Sequence, residues 1–200
     1  KYLLSNVALI FLAAIACVSA YGASSQKQSS YELMSSENKA MQDDSSLNPA
    51  MFWVNDGQTL WEEKLGPKNA SCASCHGDVK KSMRGVAAQF PKVIKGKLQT
   101  LESQINACRV NAQQAPKLAY ESKDLLSLTA VIAIQSKGMP ITVKKTADNA
   151  SYLNQGQDWF NKRMGQLNLS CAQCHEDRAG LKLGGSLIPQ GHPNAYPIYR

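Results

Sequence analysis

The chain has 200 residues, 44% hydrophobic and 18% charged, so it is too apolar for a disordered tail and too short for an extended array or a large multidomain protein. Lys and Arg number 22 against 15 Asp and Glu, and the net charge of +7 suits anionic substrates or acidic partner proteins better than nucleic acid. Six cysteines and three histidines are few, yet most of them fall inside two five-residue windows, and that clustering makes the chemistry readable.

The first element is an export signal. Residues 7–18 are twelve uninterrupted apolar residues, followed by the small-residue site Val18-Ser19-Ala20. A membrane span needs about 20 such residues, whereas a run of this length suits the core of a signal peptide. Residues 1–20 are therefore expected to be cleaved after Ala20 or a few residues later, leaving the folded part outside the cytoplasm. A retained anchor is the alternative. A lipoprotein anchored through Cys17 fits less well, because Ala14 stands where such signals prefer Leu. Lys1 occupies the place of an initiator Met, so further residues are expected before it.

Residues 21–48 are dominated by Ser, Gln, Asn, Glu and Asp and cannot bury a core alone, which predicts an extended polar arm lying on the domain. Sliding the chain by 99 residues then aligns 55–76 with 154–175 without a gap, with ten of 22 positions identical. Trp61 and Phe160 match as aromatics. This internal repeat predicts a duplicated unit: a first domain at 49–148 and a second at 149–200, incomplete in this chain.

Within each copy, Asn55-Asp56 or Asn154 is expected to cap a short helix carrying the aromatic. Leu98, Leu101, Ile105 and Cys108 recur at helical spacing and predict one apolar stripe. Ser122 is expected to cap a second helix through Leu125, Leu128, Ile132 and Ile134, stopped at Gly138 with Pro140 beyond. No alternating strand pattern appears, so the expected fold class is all-α, in two tandem domains.

Two motifs make these tandem domains cytochrome c-like. Cys72-Ala73-Ser74-Cys75-His76 and Cys171-Ala172-Gln173-Cys174-His175 both have the C-x-x-C-H form of covalent haem attachment. Two thiols three positions apart on a helix turn can each form a thioether with a haem vinyl group, and the next residue sets an imidazole against the iron. Structural zinc would prefer C-x-x-C knuckles about 15–20 residues apart. Disulfides in an exported protein are the other alternative. The expectation is two covalently bound haems c, held by Cys72, Cys75, His76 and by Cys171, Cys174, His175, with His76 and His175 on iron.

For the sixth ligand of the first iron, Met139 in Lys137-Gly138-Met139-Pro140 and Cys108 on its apolar stripe compete, the latter also readable as a plain buried thiol. If the motif cysteines hold haem and Cys17 is removed, Cys108 is the leftover thiol. In the second unit the counterpart of Cys108 would fall beyond Arg200, so the distal half of that pocket is expected outside this chain. His192, between Gly191 and Pro193, is a weak candidate ligand that fits a rigid loop better.

These residues together resemble the SoxA family, the c-type cytochrome subunit of L-cysteine S-thiosulfotransferase in the periplasmic sulfur-oxidising system. The resemblance takes in Ala40-Met41-Gln42-Asp43-Asp44, Asn48-Pro49, Trp53-Val54, the stretches 57–61 and 71–77, Ile105-Asn106-Ala107-Cys108-Arg109, 135–140 and 189–200. It implies that His76 and Cys108 ligate the first iron, in preference to Met139. It also implies a catalytic persulfide cysteine, preceded by a substrate-binding arginine, downstream of the stretch 197–200, so no catalytic residue is expected within these 200. The implied activity is oxidative conjugation of thiosulfate to a cysteine of the SoxYZ carrier protein, in the periplasm. The implied partners are a monohaem SoxX subunit and a small c-type cytochrome as electron acceptor, and no nucleic acid. A dihaem electron carrier without substrate chemistry and a dihaem peroxidase are the rival readings.

Overall fold

The computed structural model describes residues 30–190; the expected signal peptide with Cys17, His192 and the stretch 197–200 lie outside the described residues. In chain order the elements are α1 (Ser36–Asp43), α2 (Met51–Glu62), α3 (Cys72–His76), α4 (Val79–Ser82), β1 (Lys92–Ile94), β2 (Lys97–Gln99), α5 (Leu101–Cys108), α6 (Lys123–Ala133), α7 (Ala150–Asn161), α8 (Cys171–His175), β3 (Lys182–Leu183) and β4 (Ser186–Leu187). The fold is all-α in its framework, as the sequence predicts. The two antiparallel hairpins, β1–β2 and β3–β4, have strands too short to print an alternating pattern. The first closes on Lys95 and Gly96, both with positive φ (51° and 74°), the conformation a two-residue turn of matching twist requires.

The polar arm lies on the domain, but it is helical rather than extended where it is described. Ser35 starts α1, its hydroxyl accepting the Asn38 N–H at 3.3 Å. Lys137 Nζ donates to the Asp43 carbonyl at 3.0 Å, and the amide of buried Asn48 donates to the Gln42 carbonyl at 3.4 Å. These contacts fix the arm against the segment following α6 and at the entrance to α2.

The expected caps are not made. Asn55 and Asp56 lie inside α2, and Asn154 lies inside α7. The residues that order the two entrances stand upstream: Asn48 Oδ1 accepts the Ala50 N–H at 2.9 Å, and Asn149 Oδ1 accepts the Thr146 N–H at 2.7 Å. Leu98 likewise leaves the predicted stripe, because it belongs to β2 and Thr100 caps α5 by accepting the Ser103 N–H at 3.2 Å. Ser122 caps α6 as expected, accepting the Leu125 N–H at 3.4 Å.

The core of the first unit is the crossing of α2 on α6. Val54, Gly57 and Trp61 form the buried face of α2, and Leu125, Leu128, Val131 and Ile132 that of α6. At the crossing the backbones nearly touch: a Cβ on Gly57 would lie 2.1 Å from the Ser127 carbonyl oxygen. Leu101 and Ile105 of α5 and Val79 and Met83 complete the cluster. Close to this core, α5 runs into one π turn, Arg109–Gln113, ended by Gln114 in the left-handed region at φ 57°.

The repeat is a repeat of structure. Helices α2 and α7, the bridges Leu65↔Ala70 and Met164↔Leu169, the left-handed residues Gly66/Gly165 and Asn69/Asn168, and helices α3 and α8 all recur 99 positions apart. Among the described residues α7 buries no side chain, and Trp159, Leu167 and Leu183 are exposed.

Candidate functional site

Each C-x-x-C-H motif sits on a single helical turn held by a reciprocal cap. Ser71 Oγ accepts the Ser74 N–H at 3.0 Å while Ser74 Oγ accepts the Ser71 N–H at 2.9 Å. In the second copy Ser170 Oγ accepts the Gln173 N–H at 3.4 Å, and Gln173 Oε1 accepts the Ser170 N–H at 2.9 Å. The serine before the first cysteine and the residue before the second are thus the two halves of a capping box. The spacing of the thiols is set by the turn, and the turn is set by the box. Ser71→Ala is expected to lower stability by about 1 kcal/mol, read as a lower denaturation midpoint with an unchanged denaturant slope.

In the first unit Trp61 carries the motif from behind. Its indole N–H donates to the Gly77 carbonyl at 2.9 Å, and its ring lies 5.8 Å from the His76 ring, tilted by 41°. Phe160 cannot copy that hydrogen bond. The second unit uses a different device: His175 Nδ1 lies 2.8 Å from the Pro189 carbonyl oxygen, so Nδ1–H donates to it and Nε2 is left free for a metal. Residues 180–189 form the loop that places this carbonyl. Gly180 N–H donates to Ile188 O, and Ile188 N–H to Leu181 O, both at 2.8 Å, around the β3–β4 hairpin. Sequence reading missed the role of Pro189, whose contribution is a backbone atom.

The structure brings Cys72, Cys75, His76 and Cys108 onto one cavity of about 440 Å³, with walls that include Val86, Phe90, Leu101, Ile105 and Leu128. Met139 does not line it; a Cβ on Gly85 would meet the Met139 sulfur at 3.4 Å, which places that side chain against the Gly85 turn. Burial pushes the Cys72 thiol up from its ordinary pKa, and the Arg109 charge opposes this in part. Gln104, one turn before Cys108 and on the same cavity, donates its amide N–H to Cys108 Sγ at 3.4 Å. Gln104, Arg109 and Gln113 were missed as site residues, although the i, i+4 spacing of Gln104 and Cys108 carried a signal.

The donor set fits a covalently attached haem: two thiols and an imidazole on one turn, opening on an apolar slot. The alternatives fit less well. All five described cysteines are free thiols, and among the described residues no three His, Cys, Asp or Glu side chains gather as a metal cluster. In the second unit Cys171 is exposed, and Cys174 and His175 are half-buried beside the Pro189 carbonyl.

Comparison with known proteins agrees with this chemistry. Residues 56–141 match the family described as SoxA/TsdA, cytochrome c domain. The subunit SoxA of L-cysteine S-thiosulfotransferase from Rhodovulum sulfidophilum is 34% identical over 86% of this chain, and that from Paracoccus pantotrophus 37% identical over 76%. Residues 56–141 are thus a cytochrome c domain of the SoxA/TsdA type. A cytochrome c domain of this family carries covalent haem c, for which Cys72, Cys75 and His76 lie within the matched residues. The crystal structure of SoxXA from P. pantotrophus superposes with a TM-score of 0.78 at 34% identity, covering 82% of this chain and 63% of that one. The chain spans 61% of the length of the R. sulfidophilum relative and 53% of the P. pantotrophus relative.

Proposed function

We propose that this chain is the SoxA-type subunit of an L-cysteine S-thiosulfotransferase, carrying two haems c and acting in the periplasm beside a SoxX-like monohaem cytochrome. The observation that carries the reading is the pair of capped haem motifs, 99 residues apart, in a chain that matches SoxA relatives over most of its length. The reaction is carrier–SH + S2O3²⁻ → carrier–S–S–SO3⁻ + H⁺ + 2e⁻, an oxidative sulfur–sulfur bond formation that needs an electron acceptor. When bound, haem supplies a one-electron acceptor. The residues of this chain would tether and orient it: Cys72 and Cys75 by thioethers with His76 on the iron, Cys171 and Cys174 likewise with His175. The Pro189 carbonyl fixes the tautomer of His175. Cys108 would be a further ligand of the first iron, a role supported by its place on the cavity of Cys72, Cys75 and His76. The net charge of +7 favours the approach of the thiosulfate dianion and of an acidic carrier.

The test uses the whole gene product from an exporting, haem-attaching host, together with a SoxX-like partner. Intact mass is expected to exceed the polypeptide by two haems. With thiosulfate and a SoxYZ-like carrier, the carrier cysteine is expected to gain the thiosulfate group while a small cytochrome c is reduced. An unmodified carrier, with the haems still able to relay electrons from another donor, would establish a plain dihaem electron carrier instead.

A further inference from the structure

The cavity that holds Cys72, Cys75, His76 and Cys108 has two ends, and helix α5 runs between them. Leu101, Gln104, Ile105 and Cys108 line it from one face of that helix, a run of about 10 Å at the usual helical rise. One end is the thiol end: Arg109 and Cys108 are close enough to Cys72 to act on its ionisation, and Gln113 comes to 4.0 Å from Cys72 Sγ. The other end is the β1–β2 hairpin, where Lys92 pairs with Gln99, just ahead of Leu101. Lys92 and Ile94 both line the cavity and Val93 between them does not, the alternation of a strand with one face on the site.

Lys92 is held at that hairpin end. It is half-buried, and its Nζ lies 4.5 Å from the centroid of the Phe90 ring, itself a wall of the cavity. The segment leading into it is pinned by Thr142, whose N–H and Oγ1 both donate to the Ala88 carbonyl, at 2.8 and 3.2 Å. Other polar side chains on the cavity are already engaged: Ser82 Oγ donates to Asp78 O at 3.0 Å, and Gln104 to Cys108 Sγ at 3.4 Å. Among the described residues the Lys92 ammonium makes no hydrogen bond or ion pair. It is a charge on a flexible stem, steered by an aromatic face over the mouth of an apolar slot, and it can take an anion there. A haem joined to Cys72 and Cys75 through its vinyl edge directs its two carboxylates to the opposite edge, away from the thiols and toward the hairpin.

We propose that Lys92 pairs with a propionate of the haem attached at Cys72 and Cys75, at the hairpin end of the cavity. The inference rests on the reading that these residues hold haem, and it adds which way the porphyrin is turned along α5 and what charge stands at its outer edge. Lysine offers a point charge with three rotatable donors, which suits a carboxylate at a half-wet rim. Its charge offsets the propionate, which otherwise favours ferric over ferrous iron, so Lys92 raises the midpoint potential.

The experiment compares the haem-loaded wild-type protein with Lys92→Met, Lys92→Arg and Lys97→Met by resonance Raman spectroscopy and redox titration, with haem located at each motif by peptide mass. Lys97 is exposed on the other strand of the hairpin and does not line the cavity, so its loss removes the same charge without touching the site. In Lys92→Met one haem is expected to show a shifted propionate bending band and a lower midpoint. Lys92→Arg keeps the charge and changes the donors, so its band shifts while its midpoint stays close to wild type. The Arg variant carries the test if the Met variant does not accumulate. In Lys97→Met the band is expected to stay in place. Protein that never acquires haem at the first motif would overturn the haem reading and this inference with it. Attached haem whose propionate band moves in neither Lys92 variant, or moves as far in Lys97→Met, overturns the inference alone.

Discussion

Gly57→Ala is expected to destabilise the first unit by about 2–3 kcal/mol or more. At Gly57 the added methyl would sit 2.1 Å from Ser127 O, 2.7 Å from Ser127 C and 2.9 Å from Val131 Cβ, and the first two are helix backbone that cannot swing aside. Helices α2 and α6 must separate, and Val54, Trp61, Leu125 and Leu128 lose contacts at once. The helix propensity gained by replacing glycine offsets only a fraction of this. Denaturant titration of the variant against wild type reads the loss. A small effect would show that the α2–α6 crossing yields to an added methyl.

What was legible in the sequence follows from which atoms carry the information. The motif cysteines and histidines, the Ser122 cap, the α6 stripe and the 99-residue repeat are side-chain patterns, and they read out directly. The entrances to α2 and α7 did not, because Asn48 and Asn149 order loop amides ahead of the helices instead of capping from the first turn. The hairpins were invisible because a strand of two or three residues has no period. Pro189 was missed as a site residue because its carbonyl does the work, and Arg109 because nothing in an arginine's neighbours along the chain says that it ends up buried without an acid. The repeat also led the eye to symmetry. The structure instead gives Trp61 a hydrogen bond that Phe160 cannot make, and gives His175 a carbonyl partner at Pro189.

Replacing Cys108 by Ser is expected to change the low-spin spectrum of one haem and to raise its midpoint potential, whereas Met139→Ala leaves that haem as it was. A thiolate donates more strongly to iron than a hydroxyl or a thioether and so stabilises the ferric state; its loss moves the midpoint up. The geometry behind the choice is that Cys108 opens on the cavity of His76 and Met139 does not. Gln104→Leu separates the ligand from its setting and has the opposite sign. The Gln104 amide, 3.4 Å from Cys108 Sγ, withdraws density from the sulfur, so removing it strengthens donation and lowers the midpoint while the low-spin ligation persists. Two neighbouring substitutions one helical turn apart are thus expected to push the same haem in opposite directions. A packing defect shared by both would push it one way only. Redox titration followed in the visible bands, on haem-loaded wild type and the three variants, decides it: a spectral change in Met139→Ala with none in Cys108→Ser would move the ligand to the methionine loop.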